Sequence, residues 1–78
     1  MENIKKYNEV FAATLDIGEE KLSGLKYQDV ENWDSVGHMS LIAAIEEAFD
    51  IMMDTDDIID FSSYEKGKEI MKKYNIEV

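Results

Sequence analysis

The sequence predicts a small all-α domain: a four-helix bundle of three main helices and one short one, with a long loop between the first and second helices. Three observations carry this. Apolar residues recur at three- and four-residue spacing through most of the chain. Residues that start or stop helices stand at the edges of those stretches. No strand alternation, internal repeat or low-complexity tract interrupts them. The 78 residues make a single domain, 1–78, with a modest core.

The first helix is expected from about Glu2 to Leu15, with Ile4, Tyr7, Val10, Phe11 and Leu15 as its apolar stripe. Asp16 and Gly18 are poor helix continuers, and Gly18 can end the segment. A long connection follows, from about Asp16 to Trp33. Its Leu22, Leu25, Tyr27 and Val30 are expected to pin it to the core. Trp33 is either a further anchor or a recognition residue.

The second helix is expected to start near Asp34 or Ser35, both good N-cap types, and to end at Asp50. Its apolar residues are too many for one face. Leu41, Ile42, Ile45 and Phe49 can face the core, whereas Val36, Met39 and Ala43 fall on a neighbouring arc. That arc faces either other helices or a partner or ligand. Asp54 or Thr55 can cap the short third helix, which holds Ile58 and Ile59. Ser62-Ser63-Tyr64-Glu65 reads as a capping box, with the Ser62 hydroxyl and the Glu65 carboxylate each satisfying a first-turn amide. The last helix runs to about Tyr74. Tyr64, Gly67, Ile70, Met71 and Tyr74 form its inner face, and Lys66, Lys68, Lys72 and Lys73 its wet face.

Charge is strongly uneven. No Lys or Arg lies between Lys26 and Lys66, and 11 of the 18 acids fall in that window, giving most of the net charge of −10. Nucleic-acid binding needs the opposite sign. Such a surface attracts basic protein surfaces, unless it serves only as a solvated face. There is no cysteine, which excludes disulfides, thiolate metal sites and a catalytic thiol from the chain itself. The polar N-terminus has no signal-peptide pattern, and no apolar run is long enough to span a bilayer. A cytoplasmic protein without membrane insertion is the expectation.

Several chemistries fail on spacing. Asp54, Asp56, Ser62 and Glu65 match four positions of a calcium loop, but Ile58 and Ile59 occupy the fifth and sixth, where a ligand and a turn glycine belong. His38 is the only histidine, so a multi-histidine metal site is excluded; a lone histidine in a first turn reads as structural or solvated. Ser35 and His38, one helical turn apart, lack any sign of an oxyanion hole. No catalytic residue and no resident metal is expected.

What remains is Asp34-Ser35 at a helix start. The dipeptide alone reads as an ordinary N-cap. The run from Trp33-Asp34-Ser35-Val36-Gly37-His38-Met39 through Ser40-Leu41-Ile42-Ala43-Ala44-Ile45 to Glu46-Glu47-Ala48-Phe49-Asp50-Ile51 resembles the acyl carrier protein signature. That signature is Asp-Ser-Leu or a close variant, followed by an apolar helix that ends in two acids, a small residue and Phe. The long preceding loop and the short third helix match the family's layout over essentially the whole chain.

The resemblance implies a role for each matching position. Ser35 is the attachment point for 4′-phosphopantetheine, delivered from coenzyme A as a phosphodiester by a phosphopantetheinyl transferase. Asp34 supports that modification. The arm's thiol then holds an acyl group as a thioester, in a phosphoprotein that is itself no enzyme. A helix N-terminus tolerates a phosphodiester anion well. Val36, Met39 and Ala43 are expected as the apolar face beside the arm. Glu46, Glu47, Asp50, Asp54, Asp56 and Asp57 are expected as the rim read by acyl-loading and acyl-transferring enzymes with basic docking surfaces. A monomer is implied.

Three positions differ from the commonest family pattern: Val36 where Leu is usual, Gly37 where a polar residue is usual, and Trp33 where a small residue is common. They point away from general lipid or fatty acid biosynthesis and towards a specialised carrier, as in polysaccharide or secondary metabolite biosynthesis. Fatty acyl, hydroxyacyl and aminoacyl or peptidyl cargo all stay open, because the loading enzyme chooses. An unmodified acidic helical interaction module, or a cation-binding one, is the reading from a different class.

The acid window itself has a measurable consequence. Repulsion among Asp54, Asp56, Asp57 and Asp60 weakens the fold at low ionic strength, so salt or millimolar magnesium should raise the melting temperature. A melting curve indifferent to both would mean that the cluster is well solvated.

Overall fold

A computed structural model describes residues 3–78. It is an all-α bundle of four helices: α1 Asn3–Leu15, α2 Ser35–Phe49, α3 Thr55–Asp60 and α4 Tyr64–Lys73, with one 3-10 turn, Glu19–Lys21, in the long loop. Glu2, expected in the first helix, lies outside the described residues. Among the described residues there is no strand, only a single antiparallel bridge between Lys26 and Ser63.

The core forms where the apolar stripes meet. Tyr7, Phe11 and Leu15 of α1 are wholly buried, as are Leu41 and Ile45 of α2. Phe11 is the hub, with Tyr7, Tyr64 and Trp33 edge-on to it at 5.0, 5.4 and 5.5 Å between ring centroids and Phe61 stacked at 6.0 Å. Such aromatic pairs add directional preference to burial. The Tyr7 hydroxyl, shut in by this packing, donates to the Tyr64 carbonyl at 2.8 Å, and burial holds its pKa well above the ordinary range. Gly67 permits this closeness: a β-carbon there would overlap the Tyr7 hydroxyl and the Phe61 ring.

The loop is pinned as its apolar residues predict. Leu22, Leu25 and Trp33 are buried, and Tyr27 and Val30 pack on the core at its edge. Trp33 is thus a core anchor. Backbone bonds complete the attachment, from Tyr27 to the Ser62 carbonyl and from Tyr64 to the Leu25 carbonyl, both 2.9 Å. The Asn32 carboxamide also reaches the Leu15 carbonyl at the end of α1.

The first helix ends at Leu15, as expected, and the last starts one residue later than expected. Gly18 does not end α1, because Asp16 already takes the left-handed conformation, with φ 57°. The same device recurs at Asp50 (φ 56°) and Asn75 (φ 66°). After each comes an isoleucine whose amide reaches back six residues, counted inclusively: Ile17 to Ala12, Ile51 to Glu46, Ile76 to Met71. Each isoleucine packs against the core. This is the Schellman arrangement with Asp or Asn in place of the usual Gly.

The start of α4 is the end that moves. Ser63, not Ser62, is its N-cap, and the Ser63 hydroxyl accepts from the Lys66 amide at 2.9 Å. The capping box with Glu65 does not form. The Ser62 carbonyl accepts from the Tyr27 amide, and the bridge of Ser63 with Lys26 keeps Ser63 extended, so the helix starts one position later.

The left-handed caps predict a gain from glycine. Asp16 is exposed, so Asp16→Gly should raise stability by up to about 1 kcal/mol, because L-residues at this conformation cost about 1–2 kcal/mol and glycine's larger unfolded-state entropy offsets part of the relief. Chemical denaturation would measure it, with Asp16→Ala falling in the opposite direction.

Candidate functional site

The site is the junction of the loop end, the start of α2 and the short α3. Asp34 is the N-cap of α2, with extended backbone, and its carboxylate accepts from the Gly37 amide at 2.8 Å. Ser35 is therefore the first helical residue and not the cap. Its side chain is exposed beside an amide-rich helix end. Gly37 has a steric reason to be glycine, since the Asn32 carbonyl occupies the place of a β-carbon. The loop thus presses against the first turn of α2 more closely than any other residue allows.

Trp33 and His38 hold this junction together. The buried Trp33 indole Nε1–H donates to His38 Nδ1 at 3.0 Å. An indole nitrogen only donates, so Nδ1 accepts and the imidazole proton sits on Nε2. Nε2–H then donates to the Ile58 carbonyl of α3 at 2.9 Å. The two rings stack at 17°, with Tyr27 and Phe61 edge-on to the imidazole. One side chain therefore joins the loop, α2 and α3.

Beside Ser35 this arrangement leaves a cavity of about 280 Å³. Its lining comes from the loop (Tyr27), α2 (Ser35, His38, Met39), α3 (Ile58, Ile59) and the α3–α4 link (Phe61, Ser62). Sequence periodicity marked Ile58 and Ile59 only as members of α3, and it passed over Phe61. The overlooked signal was the adjacent Ile pair on a six-residue helix: one must turn inward and the other stay out. Ile58 is half-buried, and Ile59 is 71% exposed.

The neighbouring arc of α2 is indeed outward. Val36 and Met39 are 75% and 56% exposed, and Ala43 is exposed. Together with Ile59 they give an apolar surface near the cavity mouth. Glu47, Asp50, Asp54 and Asp56 are exposed as expected for a rim. Glu46 is half-buried, because its carboxylate accepts from the Met53 amide and braces the α2–α3 connection.

Asp57 does not belong to the rim. It is buried, with Lys73 and the Tyr74 hydroxyl each 2.5 Å from its carboxylate. The bond from Lys73, then that from Tyr74, holds its carboxyl below the usual range against the opposing effect of burial. Asp57 is the inner-facing acid of α3, a tie to α4 and not a docking charge. Residues 55–60 are helical, so the partial calcium-loop spacing has no loop to serve. Among the described residues, no group of three or more His, Asp or Glu side chains is placed to hold a metal ion. No helix among them is long and apolar enough to cross a membrane.

Comparison with protein-family models, with curated proteins and with solved structures finds no match for this chain.

The Asp57 tie has a definite pH signature. A carboxyl held low in the folded state contributes stability that is present above about pH 4 and is lost as pH falls through the depressed value. Asp57→Asn should be less stable at neutral pH and should lose less on acidification than the unaltered protein. Urea melts at the two pH values would show the difference narrowing.

Proposed function

We propose that this protein is a specialised acyl carrier protein, modified at Ser35 with 4′-phosphopantetheine and recognised by partner enzymes through α2 and α3. The observation that carries the reading is the placement of an exposed serine at the first position of α2, directly after its Asp34 cap and on the lip of an apolar cavity. The Asp-Ser signature supplies the chemical identity, and the cavity supplies a reason for it.

The residues present fit the group. The Ser35 hydroxyl is open to solvent, and the helix end offers a favourable field to the phosphodiester. The Asp34 carboxylate is already engaged with the Gly37 amide, which holds the first turn and hence the serine in position. Met39, Ile58, Ile59 and Phe61 offer apolar contact to an arm or a short acyl group leaving Ser35. When attached, the arm supplies the thiol that the chain lacks. The protein itself positions the arm, shields its near part and presents a charge pattern; it catalyses nothing in this reading.

Partners follow from charge. Val36, Met39 and Ile59 give a central apolar contact, and Glu47, Asp50, Asp54 and Asp56 surround it with negative charge. Basic enzyme surfaces match that pattern, and the charges would act mainly on the rate of encounter. A cytoplasmic monomer acting in polysaccharide or secondary metabolism is part of the proposal. The cargo is set by whichever enzyme loads it.

Intact mass after incubation with coenzyme A and a broad-specificity phosphopantetheinyl transferase tests the reading. A single addition of one arm is expected, lost in Ser35→Ala, and slowed without loss of helicity in Glu47→Lys. Absence of any addition, with the transferase active on a control carrier, would leave an unmodified acidic interaction module in its place.

A further inference from the structure

We propose that His38 is a proton-operated catch on the cavity beside Ser35. Its two bonds require the neutral ring: Nδ1 must accept from Trp33, and Nε2–H must donate to Ile58. A second proton can enter only at Nδ1. It would then face the indole N–H across 3.0 Å, donor against donor. The bond to Ile58 survives protonation, because Nε2 still donates. Acid therefore releases one side of the catch, the loop side, and leaves α3 attached.

Release has a local cost and a local path. Trp33 is wholly buried, so its indole would lose its acceptor with no water to replace it. The loop end must shift to restore a partner. That loop end runs straight into Asp34 and Ser35, and its Asn32 carbonyl already lies against Gly37. His38 and Ser35 line the same cavity, so the displaced ring and loop change its wall next to the serine.

The surroundings give the charged ring no counterion. From the loop it meets the Tyr27 and Trp33 rings, from α3 the Ile58 carbonyl, and from the α3–α4 link the Phe61 ring. The Asp29 and Asp34 carboxylates on the loop are taken by the Lys26 and Gly37 amides. On α3, Asp57 is committed to Lys73 and Tyr74, while Asp60 lies in the cleft towards α4 with Lys66 and Lys73. Asp54 just before α3, Asp56 on it and Glu31 on the loop are exposed to solvent. Among the described residues no carboxylate forms a salt bridge with the imidazole. Histidine is the side chain whose charge ordinarily changes in the physiological range, and this chain has one.

The effect on Ser35 rests on the carrier reading; the catch itself does not. Nuclear magnetic resonance of the unmodified full chain tests the catch, since one tryptophan and one histidine give unambiguous signals. Over the acid range in which the chain stays folded, the Trp33 indole N–H resonance should move with the same midpoint as the His38 ring protons. It should stay in place in His38→Gln, which cannot titrate. An indole signal that ignores the ring's titration, a ring that never titrates while the chain stays folded, or an equal shift in His38→Gln would overturn the proposal. Should His38→Gln fail to fold, agreement of the two midpoints in the unaltered protein decides alone. Attachment rates to the unaltered protein and to His38→Gln then test the coupling. Their ratio should change across the same pH range, and a constant ratio overturns the effect on Ser35. Absence of attachment to either protein at any pH would sink the carrier reading while the indole signal still judged the catch.

Discussion

The buried indole of Trp33 has one hydrogen to donate and nowhere to send it except His38. That single requirement organises the half of the molecule that contains Ser35 and its cavity. An unpaired indole nitrogen in a dry core costs about 1–3 kcal/mol, a large fraction of what a domain this small can spare. His38 accepts the hydrogen and spends its own on α3. The end of a long loop, the first turn of α2 and the last turn of α3 are thereby tied at one ring. Gly37 lets the loop press in, and the Asp34 cap turns the chain into helix just before Ser35. The cavity at Ser35 is what remains between elements held at these distances.

The other half of the bundle is held by ordinary means. Phe11 gathers the aromatic rings, Gly67 lets α4 come close, and Asp57 ties the short α3 to the end of α4. A six-residue helix has little stability of its own. It keeps its place because Asp57 is anchored on one side and Ile58 on the other. The exposed apolar residues near Ser35 and the acids around them are left outside this packing.

Much of this was legible in the residues. Stripes such as Tyr7-Phe11-Leu15 named the core, and the excess apolar residues of α2 set Val36 and Met39 on a separate arc, facing either other helices or the outside; the packing leaves them outside. Asp34 or Ser35 was readable as the cap of α2 because capping chemistry is local, and Asp34 is the one that caps. What failed depended on distant partners. Ser62 looked like a cap, but its carbonyl is bonded to the loop and Ser63 caps instead. Asp57 looked like one more surface acid, yet Lys73 and Tyr74 make it a buried tie. The end of α1 at Leu15 was read in the right place, but the stop is Asp16 and not Gly18; the repeats Asp50-Ile51 and Asn75-Ile76 were the available clue to that local cap. His38 could be read only as structural or solvated, since nothing in its spacing reveals that Trp33 and the Ile58 carbonyl converge on it.

The central claim is that Ser35 carries a covalent arm. Mass spectrometry of the protein isolated from its native host addresses it most directly, because it reads both the modification and whatever is attached. The account expects a phosphopantetheine on the peptide that contains Ser35, with a fraction bearing an acyl or aminoacyl thioester. A chain whose Ser35 is unmodified under every growth condition that produces it would contradict the account.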